Sequence, residues 1–180
     1  IINFISSSKK LKLRSILHVG IGNSYFCKKI DNNCNITGVT ISEREIDNAK
    51  ALNLSNYHVY LCDKYSIEFN SLIKEKKFDL IIDTNLKSYS CCQESFEFMM
   101  NNIIKSMHND GMLITSINGM KWFKKLKPKL SFSFKKLFHF KLKEIDGNEQ
   151  NILTINELKN LSKKYNLRMS FDDKLCYLKK

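Results

Sequence analysis

Ser15-Ile16-Leu17-His18-Val19-Gly20-Ile21-Gly22-Asn23-Ser24 is a short apolar run that closes on two glycines. Such a run followed by Gly-x-Gly predicts a strand and then a tight turn, with helical sequence from about Ser24 to Ile30. The same alternation repeats outward. Asn35-Ile36-Thr37-Gly38-Val39-Thr40-Ile41 reads as a second strand, and Ser42 opens a helix to about Leu52. Ser42-Glu43-Arg44-Glu45 has the spacing of a capping box. Tyr57 to Cys62 is a third strand, Ile67 to Lys74 a short helix, and Phe78-Asp79-Leu80-Ile81-Ile82-Asp83 a fourth strand. The unbroken apolar centre of that fourth segment suits a strand covered on both faces.

A longer helix is expected from about Cys92 to His108, because Phe96, Met99, Met100, Ile103, Ile104 and Met107 recur at three- and four-residue spacing. Asn109-Asp110-Gly111 reads as its stop, and Met112 to Ile117 as a fifth strand. After residue 150, Thr154-Ile155-Asn156-Glu157 forms another capping box that opens a helix to about Tyr165. Leu167–Phe171 and Lys174–Leu178 make a closing pair whose joint, Asp172-Asp173, is too short for a crossover helix, so the pair should be antiparallel. The whole predicts an α/β fold: a doubly wound, mostly parallel sheet of about seven strands with an antiparallel last strand and helices on both faces. With 180 residues it should form a single domain.

Composition narrows the function classes. A chain that is 43% hydrophobic and 27% charged can bury a core, which excludes a disordered chain. No apolar run approaches the roughly 18 residues of a membrane span. The net charge is +12, but only Arg14, Arg44 and Arg168 among the thirty basic residues are arginines. Arginine is the better bidentate phosphate ligand, so a lysine surplus speaks less for nucleic acid than the charge alone would. The six cysteines form no CxxC pair and no zinc-type spacing, which predicts free thiols and a cytoplasmic, reducing setting. The chain opens Ile1-Ile2-Asn3, so a natural start is expected upstream; that stretch has no secretory cleavage pattern.

In an open α/β sheet, ligands bind beyond the carboxyl ends of the strands where strand order reverses. The Gly20-x-Gly22 turn should lie there, with glycine letting the backbone pass close to a ligand. At this end the sequence resembles the class I S-adenosylmethionine (SAM)-dependent methyltransferases. The resemblance rests on Leu17-His18-Val19-Gly20-Ile21-Gly22-Asn23-Ser24, Gly38-Val39-Thr40-Ile41-Ser42, Leu61-Cys62-Asp63, Phe78-Asp79-Leu80-Ile81-Ile82-Asp83 and Asn109-Asp110-Gly111-Met112-Leu113-Ile114. It extends to Ile152–Leu158 and the closing strand pair, covering roughly residues 13–117 and 152–180. It implies SAM as cosubstrate, with His18, Gly20, Gly22, Asn23, Thr40, Glu45, Asp63 and Asp83 around it.

Two positions depart from the family pattern: His18 stands where an acid is frequent, and Thr40 where many members have a ribose-binding acid. Gly38-Val39-Thr40-Ile41-Ser42 is similar to the cyclopropane fatty acid synthase variant, whose strand-end Thr and a polar residue five positions later hold the ribose. That implies Thr40 and Glu45, and a carboxylate can accept from both ribose hydroxyls. Each residue also has a structural reading: Glu45 as the capping partner of Ser42, Asp63 as a turn or cap residue, His18 as support for the glycine turn. The resemblance otherwise implies that Asp63 meets the adenine amino group.

By the same resemblance, the acceptor sits past the fourth strand, at Asp83-Thr84-Asn85-Leu86-Lys87-Ser88-Tyr89 and Cys91-Cys92. Asp83 is the catalytic base candidate there, or a cap acid, and Asn85 and Lys87 are orienting groups. Cys91 and Cys92 read as helix-start packing residues. The amino-directed Asp/Asn-Pro-Pro-Tyr/Phe motif and the cytosine-directed Pro-Cys pair are both missing, which disfavours those DNA substrates. Between Lys121 and Lys143 nine lysines alternate with Trp122, Phe123, Phe132, Phe134, Phe138 and Phe140, making a basic, aromatic insertion at about 118–150. It is expected as a substrate cap, either stacking on bases and holding phosphates or covering the sheet edge with its ammonium groups in water.

The leading expectation is a methyltransferase for a small or medium-sized acceptor. The alternatives are a nucleic-acid-binding or RNA-modifying protein using the insertion, and a SAM-binding scaffold without catalysis. A nicotinamide enzyme is disfavoured because no acid ends the second strand and the third glycine is missing.

Overall fold

A computed structural model describes residues 13–117 and 153–180; the insertion expected as a cap at 118–150 lies outside the described residues. One sheet is built from β1 (Ser15–Val19), β2 (Asn35–Thr40), β3 (Tyr57–Leu61), β4 (Phe78–Asp83), β5 (Met107–Ser116), β6 (Arg168–Phe171) and β7 (Leu175–Lys179). The strand order is β3-β2-β1-β4-β5-β7-β6. β1 through β5 pair in parallel, while β7 is antiparallel to both β5 and β6. The order reverses between β1 and β4, which puts the topological switch point at Val19 and its register partner Asp83.

The helices are α1 (Glu43–Lys50), α2 (Ile67–Ile73), α3 (Gln93–Ser106) and α4 (Ile155–Lys164). Alternation along the strands feeds two cores. Leu17, Val39 and Ile81 pack with Phe69 of α2, Met99 of α3 and Leu158 of α4. Ile16, Ile36 and Ile82 pack on the other face with Ala49 of α1 and Cys27. The sheet is therefore covered on both sides, as its apolar central strands require.

Three local readings are corrected. Residues 24–30 do not form an α-helix; Tyr25–Lys29 is a single 3₁₀ turn. Ser24 enters it in the left-handed region at φ 52 and Ile30 leaves it extended, so only short i→i+3 bonds fit between them. The Ser42 capping box is half-formed: Ser42 Oγ accepts from Glu45 N at 3.4 Å, but the Glu45 carboxylate turns away to other partners. The long helix stops at Ser106 rather than His108, and its last expected stripe residue, Met107, opens β5 instead. Met107 faces Phe78 and Met112 faces Leu80, so residues 108–111 bulge opposite Asp79. Gly111 fits that bulge because a Cβ there would meet Phe78 O at 2.9 Å.

Candidate functional site

The carboxyl ends of β1, β2, β3 and β4 lie side by side at the switch point, and the loops after them carry the chemistry-bearing residues. Gly20 (φ 69) and Gly22 (φ 53) both take left-handed backbone, which favours glycine over any residue with a Cβ. Gly20 N donates to Val39 O at 2.8 Å, tying the turn to β2. A Cβ built on either glycine would meet nothing within 4 Å among the described residues, so no described group fills the space over the turn. Ser24, near the place of a third glycine, is also left-handed; its hydroxyl and the Tyr57 hydroxyl form a buried 2.9 Å hydrogen bond.

Glu45 joins three elements. Its Oε2 accepts from Gly22 N at 3.1 Å and from Thr40 Oγ1 at 2.6 Å, so one carboxylate oxygen locks the glycine turn to the end of β2. Thr40 Oγ1 in turn accepts from Ser42 N at 3.2 Å. The family resemblance brought Thr40 and Glu45 together as ribose ligands; the bond to Gly22 could not be read from the sequence.

Asn23 and Asp63 sit in small turns of their own. Asn23 Oδ1 accepts from Tyr25 N at 3.1 Å, and Asp63 Oδ1 accepts from Tyr65 N at 3.0 Å. Asp63 is exposed, and its Oδ2 has no partner among the described residues. His18 lies beneath the turn rather than in it. Its imidazole is buried, edge-on to Phe26 at 4.6 Å between ring centroids, and Nδ1 has no hydrogen-bond partner among the described residues. Burial away from water pushes the imidazole pKa down to about 3, so the ring is neutral.

Asp83 is 2% exposed and both its oxygens are engaged: Oδ2 by Lys64 Nζ at 2.7 Å, Oδ1 by Asn85 N at 3.0 Å. Lys64 also donates to Asn85 O at 2.7 Å and Leu86 O at 3.1 Å. Sequence reasoning missed Lys64, for one lysine among many carries no signal until its burial is seen. Asn85 Oδ1 is buried and has no partner among the described residues. Lys87 bonds Glu157 at 3.4 Å, linking this loop to α4. Cys91 and Cys92 are exposed, with their sulfurs 3.4 Å apart at the start of α3. Serine hydroxyl and thiol hydrogen bonds, first from Ser95, lower the Cys91 pKa.

Comparison with known proteins agrees with this layout. A family model described as a methyltransferase domain matches residues 10–166. Comparison with curated protein sequences gives no match. Among solved structures, N-methyltransferase NodS from Bradyrhizobium japonicum WM9, in complex with S-adenosyl-L-homocysteine (SAH), is 13% identical with a TM-score of 0.60, over 93% of this chain and 76% of that one. The plantazolicin methyltransferase BamL, in complex with a triazolic desmethylPZN analog and SAH, is 15% identical with a TM-score of 0.67, over 99% of this chain and 81% of that one. An O-methyltransferase family protein from Burkholderia thailandensis is 9% identical with a TM-score of 0.67, over 99% of this chain and 55% of that one. At these identities the likeness is one of fold.

Proposed function

The chain belongs to the methyltransferase domain family, and on that premise we propose that it moves a methyl group from SAM to a small or medium-sized acceptor at the carboxyl end of β1–β4. The observation that carries this reading is the Glu45 carboxylate, which ties the Gly22 amide to the Thr40 hydroxyl beside a space over the glycine turn that no described group fills. A nucleoside cosubstrate fits there on three counts. The two left-handed glycines let a ligand approach the backbone, Glu45 keeps Oε1 for ribose hydroxyls, and exposed Asp63 keeps Oδ2 for an exocyclic amine.

When bound, SAM supplies an electrophilic methyl on a sulfonium, and transfer is an in-line displacement by an acceptor atom. What this chain must then contribute is alignment, with proton removal needed only for a protonated nucleophile. At 2% exposure and with one bond on each oxygen, Asp83 is closed in by the chain itself, so its part is to hold the loop after β4. Asn85, whose Oδ1 has no partner among the described residues, is the orienting group on the acceptor side. His18 supports the turn from below as a neutral ring. No helix among the described residues is long and apolar enough to cross a membrane.

Titration calorimetry of the whole chain with SAM, SAH and NAD tests the reading. SAM and SAH should bind and NAD should not. Binding of NAD in preference to both would overturn it.

A further inference from the structure

The loop after β4 owes its shape to a residue of another loop. Lys64 follows Asp63 in the turn between β3 and α2, yet its ammonium crosses to the far side of the switch point. An ammonium has three N–H donors, and Lys64 finds an acceptor for each: Asp83 Oδ2, Asn85 O and Leu86 O. It is only 9% exposed. Lysines are almost never this buried unless paired, and a buried ion pair is rarely a net source of stability against an apolar pair of similar size.

Tyr65 strengthens the same junction. Its hydroxyl lies 2.9 Å from Ser88 O and 3.3 Å from Leu86 O, and its ring sits beneath the ammonium at 5.3 Å. The carbonyls of residues 85, 86 and 88 are thus all held by two consecutive side chains of the β3–α2 turn. That turn is itself fixed, as Tyr65 N donates to Asp63 Oδ1 and Ser66 N to Asp63 O, both at 3.0 Å. Just beyond the clamped stretch, Tyr89 is exposed and takes left-handed backbone at φ 64. A bulky residue stays in that region only where its surroundings impose it.

We propose that Lys64 is a positioning residue that couples the cosubstrate side of the site, at Asp63, to the acceptor side, at residues 84–90. The proposal rests on the methyl-transfer reading above. Because Asp63 and Lys64 are neighbours in one fixed turn, a ligand that stiffens Asp63 also stiffens the loop whose carbonyls Lys64 holds. Asp83 then serves as the anchor that keeps the ammonium in place, and the acceptor would meet a loop already set when the cosubstrate is bound.

Hydrogen exchange read by mass spectrometry over residues 84–90, with and without SAH, tests this in the full chain. In the wild type, SAH should slow exchange in this loop as well as around residues 20–23 and 63–66. Lys64→Met alone leaves the buried Asp83 carboxylate without its cation and can unfold the protein. The decisive variant is therefore Lys64→Met combined with Asp83→Leu, since an apolar pair restores stability without restoring the bonds to the carbonyls. In that variant SAH should still bind, with its protection confined to 20–23 and 63–66, and exchange at 84–90 should be faster by on the order of tenfold. Asp83→Asn keeps both carbonyl bonds, so the SAH response at 84–90 should survive. A double variant whose loop responds to SAH as the wild type does would overturn the coupling. A wild type that binds no SAH would overturn the methyl-transfer reading itself, a separate result visible before any variant is made.

Discussion

Glu45 Oε2 accepts a 2.6 Å hydrogen bond from Thr40 Oγ1, and the same oxygen holds the Gly22 amide. A charged acceptor bonded this way contributes about 1.5–3 kcal/mol. Glu45→Ala should therefore loosen the glycine turn and weaken SAH binding by roughly 10- to 100-fold. Thr40→Val keeps the shape and removes one donor, so its loss should be nearer tenfold or less. Calorimetric titration of both variants checks the order; equal effects would mean that the carboxylate does not bridge the two elements in solution.

Gly38 leaves no room for a side chain under the turn. A Cβ there would sit 2.7 Å from Tyr57 Cε2, 2.8 Å from its hydroxyl and 3.0 Å from Ile21 Cγ2. Tyr57 cannot swing away freely, because its hydroxyl is bonded to Ser24 and its side chain is buried. Gly38→Ala should cost about 1–3 kcal/mol and lower the melting temperature by roughly 2–12 °C. An unchanged melting temperature would show that the Tyr57 ring has room to move.

Much of this layout was legible in residue order. The bounds of β1 and β4 follow from where their apolar runs meet Gly20 and Asp83, because a buried parallel strand ends where its apolar run ends. Thr154 and Glu157 form the capping box expected of them, while Ser42 and Glu45 do not. The difference is local: among the described residues Glu157 bonds Thr154 and Lys87, whereas Glu45 has the Gly22 amide and Thr40 hydroxyl in reach. The spacing is the same in both places, and the tertiary partner decides. Lys64 and the engaged state of Asp83 were hidden for the same reason, since their pairing spans 19 residues and two loops. Met107 misled because a buried methionine at helical spacing reads alike as the end of a helix stripe or the start of a buried strand.

The α4 cap gives a stability test independent of any ligand. Thr154 Oγ1 accepts from Glu157 N at 3.2 Å, and Glu157 Oε2 accepts from Thr154 N at 2.7 Å. Thr154→Ala removes the first bond and should destabilise the fold by about 1 kcal/mol. Thermal melts should show a loss of roughly 2–4 °C, and no loss would mean that water replaces the cap fully.

His18 sets the response to mild acid. Its pKa is held down to about 3 by burial in the folded chain, against an ordinary value of 6.5. Between those two values the unfolded chain binds one more proton than the folded chain, so stability rises with pH and falls as the solution is acidified. The loss begins near pH 6.5 and grows by roughly 1.4 kcal/mol per pH unit, reaching about 2 kcal/mol at pH 5. The exposed Asp172 acts elsewhere: the Tyr177 hydroxyl and two backbone amides hold it to about 2, below its ordinary 3.8, so its effect starts only in stronger acid. His18→Leu removes the titrating group, with the Nδ1 that has no partner among the described residues, while leaving an apolar side chain beside Phe26. Urea midpoints at pH 7, 6 and 5 should then fall steeply in the wild type and more gently in the variant. Parallel slopes in the two proteins would mean that the imidazole finds water, or a proton, without unfolding.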